Sequence, residues 1–341
     1  MNLEDIAKLA GVSRSTVSRV VNNDPNVSDR ARELVQATID KVGYRPNAAA
    51  RALASHRSHA IGLVVPEDFS QYHVDQWYPL IIEATLSATK RANHTLMLIM
   101  ENTFKPDAGK RVITHFIDSG RVDGLLVLLH SYRDHLTSQL LERSVPFVLI
   151  AESDIAGTSC VDVDNFGGGA LAARALYENG ARTVTAFAGT DEHVPTARRI
   201  EGLRSVFPDA RIIFTDHSYQ TASTAVHDAL HAERPDAVFS VNGWIARPID
   251  NVAADLQISI PDDMFHISFD DFHPEISEQA GLTSVVQPVV DLADRAVNLL
   301  IERVEQRAPP GERIVLDPVL IQRGSCNDRK GVPLQGGATT T

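Results

Sequence analysis

Cysteine is nearly missing from this 341-residue chain: only Cys160 and Cys326 occur, far apart and without CxxC spacing. That argues against a disulfide framework and fits free thiols in a reducing cytoplasm. Long apolar runs are missing too. No stretch approaches the roughly 18 residues that a membrane-spanning helix needs. The start, MNLEDIAKLAGVS, is acidic-polar with helical periodicity, unlike a secretory signal. GxSxG, HExxH, GxGxxG and the phosphate-loop spacing do not occur, so a hydrolase or dinucleotide enzyme has no visible machinery. The expectation is a cytoplasmic protein that is not an enzyme, with no membrane partner, no cofactor and no metal.

What is present is unevenly charged. Hydrophobic residues make up 43% and charged residues 22%, ordinary for a globular protein of two or three folding units. Residues 1–58 hold nine Lys/Arg against six Asp/Glu, while the rest hold 23 against 38. A small basic head on a large acidic body implies that only the head meets a polyanion.

In the head, Leu3, Ile6, Ala7, Leu9 and Ala10 follow a 3/4 spacing that predicts a short helix ended by Gly11. Ser13 is placed to cap a second helix that packs through Val17, Val20 and Val21. Ser28 is predicted to cap a third, whose face is Ala31, Leu34, Val35, Thr38, Ile39 and Val42 and which Gly43 ends. This is helix-turn-helix geometry. The second helix presents Arg14, Ser15, Thr16, Ser18 and Arg19 outward on an acid-free face. Arginine pairs bidentately with guanine, and short hydroxyls suit phosphates or base edges. Arg14 and Ser15 are the expected base readers, with Ser13, Thr16, Arg19 and Asn22 supporting them.

PNAAARALAS (46–55) suits a helix by its alanines, yet it is too short to hold one in water, where helices under about 12–15 residues are marginal. It has no amphipathic face. LEDIAKLAGVSRSTVSRVVNNDPNVSDRARELVQATIDKVGYRPNAAARALAS resembles the DNA-binding head and hinge of the LacI/GalR family of bacterial transcription regulators. The resemblance implies that this segment is a hinge helix, folded when two copies pair in the operator minor groove. It assigns to DNA the YxPN residues Tyr44 and Asn47 and the hinge residues Ala50, Arg51 and Leu53. Leu53 would be the wedge between base pairs and the alanines would allow close approach; wedging of this kind kinks DNA.

From Ala60 the pattern changes. IGLVV (61–65), LMLIM (96–100), GLLVLL (124–129), FVLIA (147–151), TVTAFAG (183–189), RIIFT (211–215), AVFSV (237–241) and FHISF (265–269) are apolar runs separated by helix-length segments. They predict two doubly wound parallel-sheet lobes, between which TSVVQP (283–288) and RIVLDPVLIQR (313–323) would carry the chain back. The body resembles the same family's effector domain, which is similar to periplasmic sugar-binding proteins, through VDVDNFGGG, RRIEG, ISFDD, LTSVVQP and VLIQRGS. Expected domains are a helix-turn-helix head over 1–45, hinge helix and linker over 46–59, a two-lobed effector-binding and dimerisation body over 60–325, and a disordered tail over 326–341.

By that resemblance Arg199 holds a ligand oxygen, Asp270 accepts from a ligand hydroxyl, and Asn242 is a polar group at a strand end. The first loop, PEDFSQYHVDQWYP, is rich in aromatics, and Phe69, Tyr72, Trp77 and Tyr78 are expected to stack on a sugar or a base. At the end of FVLIA, where the family often places an acid or polar group, this chain departs with Ala151, followed by Glu152. His227 and His231 lie four apart without an obvious third ligand, so a metal is not expected. GGG (167–169) reads as packing. The expected function is ligand-controlled repression, through near-palindromic double-stranded operator DNA bound by a homodimer, with a sugar as inducer. Corepression by a nucleoside or base, a solute-binding protein and an α/β enzyme are the alternatives. The tail has no leucine heptad for a helical tetramer seam.

Overall fold

The computed structural model describes residues 2–21, 24, 26–44, 57–67, 75–101, 107–128, 135–189, 193–216, 218–271 and 274–327. Its contacts divide into two units, Met1–Ser58 and His59–Thr341.

Three helices build the first unit: α1 (Leu3–Ala10), α2 (Arg14–Val21) and α3 (Asp29–Val42). Asn2 starts α1 with a capping box. Its side-chain oxygen accepts from the N–H groups of Glu4 (2.9 Å) and Asp5 (3.1 Å), and the Asp5 carboxylate accepts from Asn2 N–H (2.9 Å). Gly11, at φ 66°, ends α1 in a left-handed turn, which costs glycine little. Ser13 Oγ accepts from Thr16 N–H at 3.1 Å, the expected cap of α2. Ser28 departs from expectation. It precedes α3 in an extended conformation, but its side chain makes no capping bond. Ile6, Ala7, Val17, Val20 and Val35 form the core. Leu9 and Leu34, expected on packing faces, are 59% and 47% exposed, because so small a unit has one narrow interior and these five residues fill it.

The second unit opens with β1 (Ala60–Pro66), α4 (Trp77–Arg91), β2 (Thr95–Glu101), α5 (Ala108–Val112), β3 (Gly124–Leu128), α6 (Leu136–Glu142), β4 (Phe147–Ile150) and β5 (Cys160–Val163). It continues through α7 (Asn165–Glu178), β6 (Val184–Ala188), α8 (Val194–Arg204), β7 (Arg211–Phe214), α9 (Tyr219–Ala232), β8 (Ala237–Ser240), α10 (Ala246–Asp255), β9 (Phe265–Phe269), α11 (Pro274–Ala280) and β10 (Thr283–Val286). Last come α12 (Val289–Val304), β11 (Arg313–Leu316) and β12 (Val319–Ile321).

Two six-stranded sheets result, ordered β11-β5-β4-β3-β1-β2 and β12-β10-β9-β8-β6-β7. All pairings are parallel except β10 with β12. Strands with both faces covered are mostly apolar; β1, β3 and β4 are so throughout, while β6, β8 and β9 also bury Thr185, Ser240, His266 and Ser268, with Ser240 Oγ 2.8 Å from His266 Nε2. β5 is not among the strands that the sequence predicts; it is four residues long and interrupted by Asp162. The two returning segments become strands that complete the sheets. The chain crosses between lobes three times: from β5 to α7, from β10 to α12 and from β11 to β12. After the second crossing, Leu292, Ala296, Leu299 and Leu300 of α12 join Ile61 and Leu63 in the core of the first lobe.

In the second lobe α7 and α8 meet backbone to backbone. A Cβ on Gly169 would lie 2.1 Å from the Arg199 carbonyl oxygen, and one on Gly202 2.1 Å from that of Phe166. The GGG run packs helices. Cys160 and Cys326 are buried free thiols. The His227 and His231 rings stack with centroids 5.9 Å apart, and no group that could hold a metal occurs among the described residues. No described helix is long and apolar enough to cross a membrane.

Candidate functional site

On the head, Arg14 and Ser15 are exposed, while Val17 and Val20 of the same helix are buried. This is the outcome that α2's alternating chemistry dictates. Ser13 Oγ lies 2.7 Å from Ser15 Oγ and 2.8 Å from Thr16 Oγ1, so three hydroxyls cluster at the start of α2. The helix start adds partial positive charge there. Arg14 makes no hydrogen bond or ion pair with any described residue, which leaves its whole guanidinium fork available. Arg19 differs: its Nε lies 3.9 Å from the Asp24 carboxylate, so the face is not wholly acid-free. Tyr44 packs against the head core. Asn22, Asn47, Ala50, Arg51 and Leu53 lie outside the described residues.

In the body, the C-terminal ends of the parallel strands in the two lobes face one cleft. It is lined by Asp75, Trp77, Tyr78, Ile150, Ala151 and Asp162 of the first lobe, and by Asn165, His193, Thr196, Arg199, Asn242, Asp270 and Gln287 from the interlobe connections and the second lobe. Arg199, Asn242 and Asp270 are therefore brought together. Trp77 and Tyr78 also line the cleft, from the first turn of α4 and not from a loop. Phe69 and Tyr72 lie outside the described residues.

Arg199 is fixed from several sides. Nε donates to Asn165 Oδ1 at 2.9 Å, Nη1 donates to the Val241 carbonyl at 2.9 Å, and the guanidinium lies over the Phe269 ring at 3.6 Å. Asp270 Oδ2 is 3.5 Å from Nη1, and Gln287 donates to Asp270 Oδ1. Arg199 and Asp270 are 4% and 7% exposed. Burial pushes the Asp270 carboxyl up, and the Arg199 charge opposes this. Asp270 also sits at φ 77°, a conformation rare for a non-glycine residue and one that clusters at ligand sites. Asn242 Oδ1 accepts from Gly189 N–H at 2.9 Å. Nη2 of Arg199, the Asp270 oxygens and Thr196 form a convergent set of donors and acceptors of the kind that orients a small polar ligand.

Two cleft carboxyls escaped the sequence reading. Burial, with the Asp270 charge adding to it, pushes Asp75 up to about 7, while the Trp77 N–H and Arg199 oppose. Burial pushes Asp162 up to about 6, against the Val163 N–H and Arg199. In the unfolded chain both release their protons near the ordinary carboxylate value, so the folded protein holds more protons from about pH 4 to pH 7. Ligand-free stability gained from these two groups is therefore lost as pH rises through 6 and 7. The expected result is a fall in melting temperature between pH 5.5 and 8 that is shallower in Asp75→Asn. Identical slopes in the two proteins would remove Asp75 from this account.

At the edge of the cleft, Glu152 turns away from it. Its carboxylate accepts two 2.9 Å bonds from Arg198, which also donates to Glu201 at 3.0 Å. This fork joins the lobes. With both partners about a third exposed, it contributes at most about 1 kcal/mol.

A helix-turn-helix head with an unpaired arginine on its second helix, joined to a two-lobed body with a polar cleft, is the arrangement of a ligand-responsive DNA-binding regulator. The sequence pattern of bacterial regulatory proteins of the lacI family matches residues 2–47, and that of a periplasmic binding protein-like domain matches residues 173–326. The ribose operon repressor of Escherichia coli (strain K12) is 28% identical over 345 residues, covering 95% of this chain and 99% of the relative. The HTH-type transcriptional repressor PurR of Erwinia tasmaniensis is 30% identical over 337 residues, covering 96% and 97%. Among solved structures, the transcriptional regulator CelR–cellobiose complex is 28% identical with a TM-score of 0.68, covering 95% and 99%. The chain belongs to the lacI family of bacterial regulatory proteins.

Proposed function

We propose that the protein represses transcription by binding a near-palindromic operator as a homodimer and is released when a small hydroxyl-rich ligand, a sugar, enters the interlobe cleft. The observation that carries this reading is the polar ring of Arg199, Asp270, Asn242, Thr196 and Gln287 beside Trp77 and Tyr78. It offers donors and acceptors to several hydroxyls at once and an apolar wall to the ring that bears them. Relatives named for ribose and cellobiose support a carbohydrate. Two-fold pairing follows from reading two half-sites with two heads, and the exposed Leu86 and Leu98 of the first lobe are apolar surface that a partner copy would cover.

A thermal-shift screen of sugars, nucleosides and bases tests the effector. A true ligand at 100 times its Kd stabilises the body by about 2.7 kcal/mol. A shift with a purine alone would replace induction by corepression. On the DNA side, Arg14→Ala is expected to cost about 1–3 kcal/mol at the operator and to relax choice at one base position. Leu53→Ala should weaken binding and lessen the DNA bend. Unchanged rank and strength across operator variants in Arg14→Ala would show that α2 does not read bases.

A further inference from the structure

The cleft that the sugar reading rests on has a charge pattern that says more about the ligand. Among the described residues its titratable lining side chains are Asp75, Asp162, Asp270, Arg199 and the His193 imidazole, with no lysine. Among the described lining residues Arg199 is the one with a permanent positive charge, and its donors are largely committed, to Asn165, to the Val241 carbonyl and to Asp270. Only Nη2 remains for a ligand. Among the described residues an entering anion would meet three carboxyls, one spare guanidinium nitrogen and the His193 imidazole, which is largely uncharged at pH well above the ordinary histidine value.

Helix starts could compensate, because exposed N–H groups there bind anions. Of the helices that begin beside this cleft, α4 and α7 have carboxyls of the chain at their starts, and α8 lacks one N–H. Asp75 Oδ1 accepts from Trp77 N–H at 3.0 Å at the start of α4, so a carboxyl of the chain already stands where a bound phosphate would. Asp164 Oδ1 accepts from Gly167 N–H at 2.7 Å and caps α7. At the start of α8, Pro195 lines the cleft and has no N–H to give. The remaining capacity of the cleft is to accept hydrogen bonds. Asp75 has no hydrogen-bond partner among the described residues besides Trp77, and burial with the Asp270 charge raises its carboxyl more than Arg199 lowers it.

We propose that the cleft admits a hydroxyl-rich ligand only if it carries no phosphate or carboxylate group, and that Asp75 is the residue that enforces this selection. Ligand hydroxyls donate to Asp75, while an ester phosphate would be pressed against it at a cost that like charges cannot avoid in a partly dry site. The regulator then reports the free sugar, ahead of the phosphoryl transfer that would consume it.

Full-length protein is titrated calorimetrically at pH 8, where Asp75 is ionised, with D-ribose, D-glucose and cellobiose, and with D-ribose 5-phosphate, D-glucose 6-phosphate and D-gluconate. At least one neutral sugar is expected to bind, and its charged counterpart to bind about tenfold or more weakly. Asp75→Asn, with its fold verified by its melting curve, should narrow that gap by about tenfold; Asp162→Asn provides the same comparison if Asp75→Asn does not fold. A phosphate ester that binds wild type as well as its free sugar does overturns the selection while sparing the sugar reading. An unchanged gap in a folded Asp75→Asn variant removes the role of Asp75. Silence from every neutral sugar overturns the proposal together with the sugar reading.

Discussion

Arg199→Ala is expected to abolish the effector response. The side chain joins Asn165, the Val241 carbonyl and Asp270 in the second lobe, and it holds the one guanidinium nitrogen open to the cleft. Its removal takes away the ligand's cationic contact and strands Asp270, which is 7% exposed, without its counter-ion. Breaking a buried pair from one side costs roughly 3–5 kcal/mol. Ligand binding should fall below detection, and the second lobe should melt earlier. Arg199→Lys keeps charge near Asp270 but cannot reproduce the fork, so it should recover part of the stability and little of the affinity. Operator binding fixes the sign of regulation. If the ligand releases DNA, the variants bind operator whether or not ligand is added; if it recruits DNA, they do not bind. Wild-type ligand affinity in a folded Arg199→Ala would exclude this residue from the site.

Gly169→Ala should do comparable damage from within the fold. Alanine favours a helix interior over glycine by up to about 1 kcal/mol, so the substitution would stabilise an isolated α7. Here the added carbon would lie 2.1 Å from the Arg199 carbonyl oxygen, and no side chain can rotate to relieve a backbone contact. Overpacking commonly costs about 1–3 kcal/mol and more when backbone must move, so the clash outweighs the propensity. Because the displaced atom belongs to Arg199, ligand affinity should fall with stability. A melting temperature equal to or above wild type would show that α7 and α8 are not in backbone contact.

The strands were legible because a strand covered on both faces writes itself as a largely apolar run; Ile61–Val65 and Phe147–Ile150 show it. β5 was not, since Asp162 breaks its four residues and its place is fixed by β4 and β11, far off in sequence. Arg199, Asn242 and Asp270 could be named through motifs, and they line one cleft. Asp75 and Asp162 could not: a lone carboxylate in a polar loop or short strand reads as solvated, and only tertiary folding takes its water away. The exposure of Leu9 and Leu34 and the idle Ser28 side chain have a similar origin. Local pattern states what a residue could do, while competition for a small interior decides what it does.

Three chain crossings tie the two lobes together, and they act as three pins do on a door. A single tether would let one lobe swivel freely against the other; with three, the lobes can open and close only as far as all the crossings bend together. Whatever enters the cleft acts on the rest of the molecule by setting how far those crossings bend. Ligands of different shape become points on a single dial. A weak agonist, in this geometry, is a molecule that stops the door partway.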